Sequence, residues 1–278
     1  MIAILGGLGA AISWGLSTVV ASRSTRMIGS QQALAYVMLL GLGALAVLAP
    51  ASGFPHHATG HAWAWAVLAG AGSAAGLSMM YRAVHLGKVG VVAPIASTEG
   101  ALAAVFAIAL GETLTAGVAV CLIVIAGGVV VVTMRGHAAD VHLRPSLYAL
   151  GAACLFGVNL VASARAGDAL GALWTIFVAR IVGVSMIALP LLLRRRLRLP
   201  GAAWWLVCFS ATAEVVGYVC YVTGAHHGVA IPAVLGSQFA AVATIASFAI
   251  FGERIGARQI AGAVVIVTGV SVLAVLRA

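Results

Sequence analysis

Two acidic residues lie where acidic residues are rare, in the middle of long apolar segments. They are Glu99 and Glu214, in a chain of 278 residues with 6 Asp and Glu in total. An ionisable side chain at the centre of a bilayer costs about 2.5–3.5 kcal/mol on insertion scales, so it faces a cavity or a partner. Either acid could carry a proton or contact a cationic substrate. Glu214 could instead form a structural ion pair with Arg180, in mid-segment on the preceding helix, and both roles can hold together.

Two tyrosines share a helix face with Glu214. Tyr218 and Tyr221 follow it at i+4 and i+7, a spacing that places all three side chains on one side of an α-helix. The pattern predicts part of a binding wall. On two other segments, Trp14 and Asn159 offer an aromatic ring and an amide that could line the same site. The alternative for a polar residue such as Asn159 is a hydrogen bond between helices, worth on the order of 0.6–1.7 kcal/mol.

Each half of the chain has one apolar segment that proline and polar residues interrupt. Pro94 lies one turn before Ser97 and Glu99, and the equivalent segment of the second half contains Pro232 and Gln238. Proline removes a backbone hydrogen bond and bends a helix. Interrupted helices at corresponding places in two halves are the best sequence indication of a transport site. Such residues are also common in lipid-embedded bundles, so the pattern alone leaves both interpretations open.

Composition places the whole chain in lipid. The sequence is 63% hydrophobic and 8% charged, with a mean hydropathy of +1.15, whereas soluble domains are about 25% charged. Apolar runs of about 18–24 residues match the length that crosses a hydrocarbon core of about 30 Å. The net charge of +9 comes mostly from arginines at segment ends, where they anchor to head groups and set orientation. This distribution argues against a nucleic-acid partner.

About ten helical spans can be drawn, and they fall into two similar sets of five. The predicted spans are residues 2–21, 33–50, 62–86, 90–110, 116–133, 146–166, 171–193, 202–225, 229–251 and 257–276. Residues 150–157 repeat the pattern of residues 8–15, and further matches recur about 141 residues apart. We therefore predict an all-α integral membrane protein with a first five-helix repeat at 1–133, a linker loop at 134–145 and a second repeat at 146–278. Because each repeat holds an odd number of spans, the second is inverted relative to the first.

Several short motifs stand out in the sequence, and all but Ala179-Arg180 have a counterpart in the other half. They are Ala-Ala-x-x-Trp/Phe-Gly in the first and sixth spans, Ala179-Arg180 in the seventh, Gly111-Glu112-Thr113-Leu114, Gly252-Glu253-Arg254-Ile255, and glycines of the last helices at 127–128 and 262–269. Together they resemble the drug/metabolite transporter superfamily, in particular its EamA-type branch of ten-helix carriers. The resemblance implies that the first four helices of each half line a central cavity, with the fifth and tenth outside it. It does not specify a substrate, because the family includes carriers of amino acids, other metabolites and drugs.

Two arguments place the chain termini on different sides of the membrane. Most of the Lys and Arg residues lie in the odd-numbered loops, so the positive-inside rule predicts that both termini lie outside the cytoplasm. The usual arrangement of the resembled family places both termini inside it. Both orientations stay open.

Three catalytic signatures are absent from the sequence, namely a Walker motif, His-Glu-x-x-His and Gly-x-Ser-x-Gly. We therefore expect no enzyme, no cofactor and no metal site. The favoured hypothesis is a multi-pass protein of the cell membrane that exports a small metabolite, such as an amino acid or a drug-like organic cation. Transport would be secondary active, by alternating access, and a proton gradient could drive it. The alternatives are a membrane-embedded enzyme or a non-transporting helper subunit.

The predicted site lies near the midplane between the repeats. The expected substrate contacts are Trp14, Ser97, Asn159, Tyr218, Tyr221 and Gln238. The expected proton or charge-coupling residues are Glu99, Arg180 and Glu214. Small residues of the last helix, including Gly262 and Gly269, would permit a homodimer through close helix packing.

Overall fold

The part of the chain that the computed structural model describes is all-helical. It comprises residues 2–109, 143–198, 201–225, 230–251 and 257–275, with isolated positions between 117 and 128, and no strand occurs among them. The predicted fifth span at 116–133 lies largely outside the described residues, as do Glu112 and Glu253. The predicted linker at 134–145 is described only from Leu143, where a helix already begins.

The helices follow the two halves of the sequence. In the first half they are α1 Ile2–Ile28, α2 Ser30–Ala51, α3 Gly60–Leu86, α4 Val89–Ala96 and α5 Glu99–Ala109. In the second half they are α6 Leu143–Gly183, a π-helical turn Val184–Ala188, α7 Leu189–Leu193, a 3-10 turn Gly201–Ala203, α8 Trp204–Ala225, α9 Ala230–Ser237, α10 Phe239–Phe251 and α11 Ala257–Val275.

Five helical segments of the described chain are long and apolar enough to cross a bilayer. They are Ile4–Ile28, Ser30–Ala51, Gly60–Leu86, Leu143–Leu193 and Gly201–Ala225. The fourth of them has 51 residues and would extend about 76 Å at a rise of 1.5 Å per residue, more than twice the core thickness of about 30 Å. It therefore contains two spans. The all-α membrane fold predicted from composition is confirmed.

Glycines with positive φ mark two of the turns between spans. Gly171 has φ 72 and ψ 169 inside α6, which lies in the left-handed region that only glycine adopts readily. It separates two helices at the place where the sixth and seventh spans were predicted to meet. Gly29, with φ 86, is the single residue between α1 and α2. Both turns are set by local sequence.

The two predicted interruptions are present at equivalent positions. The fourth span breaks at Ser97 and Thr98, between α4 and α5, and the ninth breaks at Gln238, between α9 and α10. At the first break, Ser97 Oγ donates to the carbonyl oxygen of Pro94 at 2.8 Å, and Thr98 Oγ1 donates to that of Ile95 at 2.7 Å. The hydroxyl of Ser97 thus satisfies a carbonyl that the break leaves without its usual partner, while the carbonyl of Ile95 also accepts from Thr98 N at 3.2 Å.

The first helix of the first repeat packs along the third helix of the second repeat, and it does so antiparallel. Near one end, a Cβ added to Gly6 of α1 would lie 2.6 Å from the carbonyl oxygen of Cys220 in α8. Further along, Ser17 Oγ lies 3.5 Å from the carbonyl oxygen of Ser210. Rising numbers on α1 thus meet falling numbers on α8. The absence of a side chain at Gly6 allows the two backbones to approach closely.

The reciprocal pair, α3 with the first part of α6, is also antiparallel. Gly72 lies against Leu155 and Asn159, and Gly87 lies against Pro145. The first helix of each repeat therefore pairs with the third helix of the other, in the opposite direction. This exchange is the arrangement expected of two oppositely inserted repeats related by a two-fold axis in the membrane plane.

Candidate functional site

A cavity lies between the two repeats at the level of the helix interruptions. It has about 510 Å³ of empty space, counting the part that is open to solvent. Of the described residues, the lining set is Trp14, Thr18, Ser73, Leu77, Met80, Glu99, Phe156, Asn159, Leu160, Glu214, Tyr218 and Phe239. Half of them come from each repeat.

The two walls match in position and differ in chemistry. Trp14 and Phe156 occupy the equivalent place in the first helix of each repeat. On the third helices, a shift of about 141 residues relates Ser73 to Glu214, and Leu77 to Tyr218. The first repeat thus presents a hydroxyl and an aliphatic side chain where the second presents a carboxylate and a phenol. Of these two helices, α8 of the second repeat therefore supplies the charged group and most of the polar groups of the cavity.

Glu214 is held by two partners behind the cavity wall. Arg180 Nη2 lies 3.6 Å from Glu214 Oε2, and Ser17 Oγ donates to Glu214 Oε1 at 3.4 Å. Arg180 is itself buried, and its Nη1 donates to the sulfur of Met38 at 3.2 Å. Of the alternatives that the sequence left open, the ion pair is therefore formed. Arg180 is not part of the described cavity lining, and it is linked to the cavity by its contact with the Glu214 carboxylate.

Glu99 has a different environment. It is the first residue of α5, directly after the break in the fourth span, and it is 5% exposed. Its position in the first turn of a helix favours a negative charge. Within the described part of the chain, however, no side chain donates a hydrogen bond to it or forms an ion pair with it. Glu99 is thus a buried carboxyl group that faces the cavity without a partner among the described residues.

An aromatic cluster forms the wall around the two acids. The rings of Trp14 and Tyr218 have centroids 6.2 Å apart and meet edge to face at 78°. Trp14 also packs on Tyr221, at 5.9 Å. The hydroxyl of Tyr218 donates to Asn159 Oδ1. Gly217 makes room for this packing, since a Cβ at that position would lie 2.6 Å from Trp14 Nε1.

Five of the nine site residues predicted from the sequence line the cavity. They are Trp14, Glu99, Asn159, Glu214 and Tyr218. The other four lie outside the described lining. Arg180 and Tyr221 pack behind it, Ser97 donates to its own helix, and Gln238 Nε2 donates to Ser271 Oγ at 3.0 Å. Whether any of the nine contacts a substrate stays a prediction.

Sequence reasoning missed several lining residues that carry no charge. They include Ser73, Leu77, Met80 and Phe239. The signal for the first two was available, because they are the repeat equivalents of Glu214 and Tyr218. Met80 and Phe239 look like ordinary apolar residues of a span. Among the described residues, no group of His, Cys, Asp and Glu has the arrangement of a metal site.

A tryptophan clasp, formed by Gly53, Phe54, Trp63 and Trp174, joins the repeats at one end of α2. Trp174 Nε1 donates to the carbonyl oxygen of Gly53 at 2.6 Å. The ring of Trp174 contacts Phe54 at 5.1 Å and Trp63 at 6.0 Å, both edge to face. Trp174 belongs to the second repeat, and the other three residues belong to the first.

A loop clasp, formed by Gln32, Tyr36, Arg196 and Arg198, joins the repeats at the other end of α2. Gln32 Nε2 donates to the carbonyl oxygen of Arg196 at 2.6 Å, and Gln32 Oε1 accepts from Arg198 N at 3.1 Å. Tyr36 Oη donates to the carbonyl oxygen of Arg198 at 2.8 Å. Since the 22 residues of α2 extend about 33 Å, the two clasps lie at opposite faces of the membrane.

Comparison with known proteins identifies one matching family and a solved structure with a similar fold. Residues 1–134 and 143–275 match the sequence profile of the EamA-like transporter family. No match was found among curated proteins. A solved crystal structure is similar to the chain with a TM-score of 0.71 and 18% sequence identity, over 99% of this chain and 96% of that one. At that identity, the similarity concerns the fold alone.

Proposed function

The chain belongs to the EamA-like transporter family, and on that premise we propose that it is a secondary-active exporter of a small metabolite in the cell membrane. Family membership makes it a multi-pass protein with a drug/metabolite transporter type of function. The substrate of the proposal is an amino acid or a drug-like organic cation. The proposed mechanism is alternating access around the cavity between the repeats.

The cavity is the observation on which the proposal rests. Its described lining comes in equal shares from the two repeats, and three pairs of lining residues, Trp14 with Phe156, Ser73 with Glu214 and Leu77 with Tyr218, occupy equivalent positions. A site that two inverted repeats share can open to either face by an exchange of their conformations. A substrate there would touch aromatic rings, one amide and two carboxyl groups.

The two clasps suggest how each face could close. The tryptophan clasp and the loop clasp both hold the second repeat against an end of α2. Alternating access requires that one of them separates while the other stays joined. Each is built from few hydrogen bonds, worth about 0.5–1.5 kcal/mol apiece, so either can break at a modest free-energy cost. We expect substrate affinity in the micromolar to millimolar range, because a carrier must release its substrate in both states.

Blocking the cavity without changing its charge tests this function. Leu77 lines the cavity, whereas Val67, on the same helix, is 49% exposed on the outer surface. Tryptophan at position 77 would fill the cavity, and tryptophan at position 67 would face lipid. Leu77→Trp and Val67→Trp are therefore matched variants, and Ser73→Leu is a second blocking variant if Leu77→Trp does not fold.

The assay is uptake into proteoliposomes of labelled amino acids, polyamines, nucleosides and hydrophobic cations. We expect at least one class to enter faster than into empty vesicles. The blocking variants should lose more than nine-tenths of that flux, and Val67→Trp should keep it. Flux that survives in a folded blocking variant would place the pathway elsewhere. Absence of flux for all four classes would refute the proposed substrates.

A further inference from the structure

The two acids of the cavity differ in how their charge is balanced. Glu214 has Arg180 at 3.6 Å and a hydroxyl from Ser17 at 3.4 Å. Carboxylate and guanidinium together carry no net charge, and breaking such a buried pair is strongly unfavourable. Glu214 is thus compensated with the cavity empty, and a ligand that displaced Arg180 would leave a bare guanidinium behind.

In the described part of the chain, no cation lies beside Glu99 to balance its charge. Of the described ionisable groups, Glu214 and Tyr218 line the same cavity and Tyr221 packs behind it, all on α8. The segments α4, α9 and α10 carry no ionisable side chain. The ionisable residues on the remaining neighbours, α6 and α11, are Arg144, Tyr148, Cys154, Arg165, Asp168, Arg180 and Arg258.

None of the described residues among these compensates Glu99. Arg180 contacts Glu214, while Arg165 is exposed over the ring of Trp65. Arg144 and Asp168 are likewise exposed, and the side chain of Arg258 lies outside the described residues. An unpaired carboxylate at this depth is costly. With the cavity empty, a proton is therefore the simplest way to neutralise Glu99.

The rest of the lining suits an organic cation. The rings of Trp14, Phe156, Tyr218 and Phe239 face the same space as Glu99, and aromatic faces attract cations within about 6 Å. The described lining includes no Lys, Arg or His that could bind an anion. We propose that the carried solute is an organic cation, and that it competes with a proton at Glu99 while Glu214 stays paired.

This inference rests on the proposed function and specifies its substrate class and coupling. When the cation binds, the carboxyl group of Glu99 releases one proton to water, and the resulting carboxylate forms an ion pair with the ligand. The reverse happens on release. Because proton and cation exclude each other, one is carried in each direction, and the exchange moves no net charge through Glu99.

Phenyltrimethylammonium is a suitable probe because it is permanently charged and has no proton to lose. Its binding to the purified protein in lipid nanodiscs can be measured by isothermal titration between pH 5 and pH 9. For competition with one proton, we expect the wild-type affinity to fall about tenfold per pH unit on the acidic side, with release of up to one proton per bound ligand. Phenylacetate, an anion of similar size, should not bind.

Three variants separate the two acids. Glu99→Gln should weaken binding at high pH at least tenfold and abolish both the pH dependence and the proton release. Glu99→Asp should keep the pH dependence, which also covers the case in which Glu99→Gln does not fold. The double variant Arg180→Met/Glu214→Gln removes the buried pair together and should keep the acid-side slope, whatever its affinity.

The inference is wrong if wild-type binding does not depend on pH, if the slope persists in Glu99→Gln, or if the double variant loses it. Its failure can be told from that of the proposed function. Transport of a neutral or anionic solute that Leu77→Trp blocks would overturn the cation inference and leave the carrier intact. Binding of the cation at Glu99 without flux of any tested solute would overturn the carrier.

Discussion

Replacing Arg180 with methionine should destabilise the protein because it leaves Glu214 as an unpaired charge. The guanidinium lies 3.6 Å from the carboxylate, and both groups are buried. At an effective dielectric constant of about 20, two unit charges at that distance attract by about 4–5 kcal/mol. Removing one partner of a buried pair typically costs about 3–5 kcal/mol. We expect a loss of that size in the free energy of unfolding.

A double-mutant cycle measures the effect. Arg180→Met, Glu214→Gln and the double variant are unfolded by sodium dodecyl sulfate in mixed micelles, and tryptophan fluorescence reports the fraction folded. Each single variant leaves one charge in an apolar environment, whereas the double variant leaves none. The double variant should therefore lose less stability than either single variant.

Arg165 provides the matched control. It lies in α6 on the other side of the turn at Gly171 from Arg180, and it is exposed over the ring of Trp65 at 5.2 Å. Arg165→Met should cost at most about 1 kcal/mol, the range for exposed cation–π contacts. If the losses of Arg180→Met and Glu214→Gln simply add in the double variant, the two residues do not stabilise each other and the pair has no energetic role.

Two further predictions concern helix packing and topology. A Cβ at Gly217 would lie 2.6 Å from the ring nitrogen of the tryptophan in α1, so Gly217→Ala should lower stability by about 1–3 kcal/mol. A Cβ at Gly43 would have nothing within 4 Å, so the control Gly43→Ala should raise stability by up to about 1 kcal/mol. Equal shifts in the melting temperatures of the two variants would contradict the close approach of Gly217 to that tryptophan. In a cysteine-free background, Ser52→Cys and Asp168→Cys should react with an impermeant maleimide from the same face of sealed vesicles, and Arg195→Cys from the opposite face. Labelling of positions 52 and 168 from opposite faces would rule out the inverted insertion.

Much of the fold could be read from local sequence. The lengths of the apolar segments predicted the spans, because the thickness of a bilayer sets the length that a helix must have. The duplication predicted two similar repeats, and Pro94 with Ser97 predicted the break in the fourth span. The gap predicted between the sixth and seventh spans, residues 167–170, ends at the turn that Gly171 forms. The spans, the break and the turn each depend on one stretch of sequence, and the duplication follows from comparing two such stretches.

The residues of the site could be predicted only in part from the sequence. Glu99 and Glu214 were predicted as site residues because burying an acid at that depth in the membrane has a high free-energy cost. Trp14, Asn159 and Tyr218 were predicted because they are aromatic or polar residues in the middle of a span. All five line the cavity. Ser97 and Gln238 have the same polar character, yet their side chains bond within the protein instead. Residue type alone does not separate these two outcomes.

The sequence by itself thus determined that this is a membrane protein of two repeats with two buried acids, since depth and periodicity are properties of single segments. Only the tertiary structure decided that Arg180 balances Glu214 and that no described side chain pairs with Glu99. It also decided that Ser73 and Leu77 complete the wall opposite Glu214 and Tyr218. The reason is physical: the rotation of each helix about its axis is fixed by its packing against the other repeat, and that rotation selects which side chains meet.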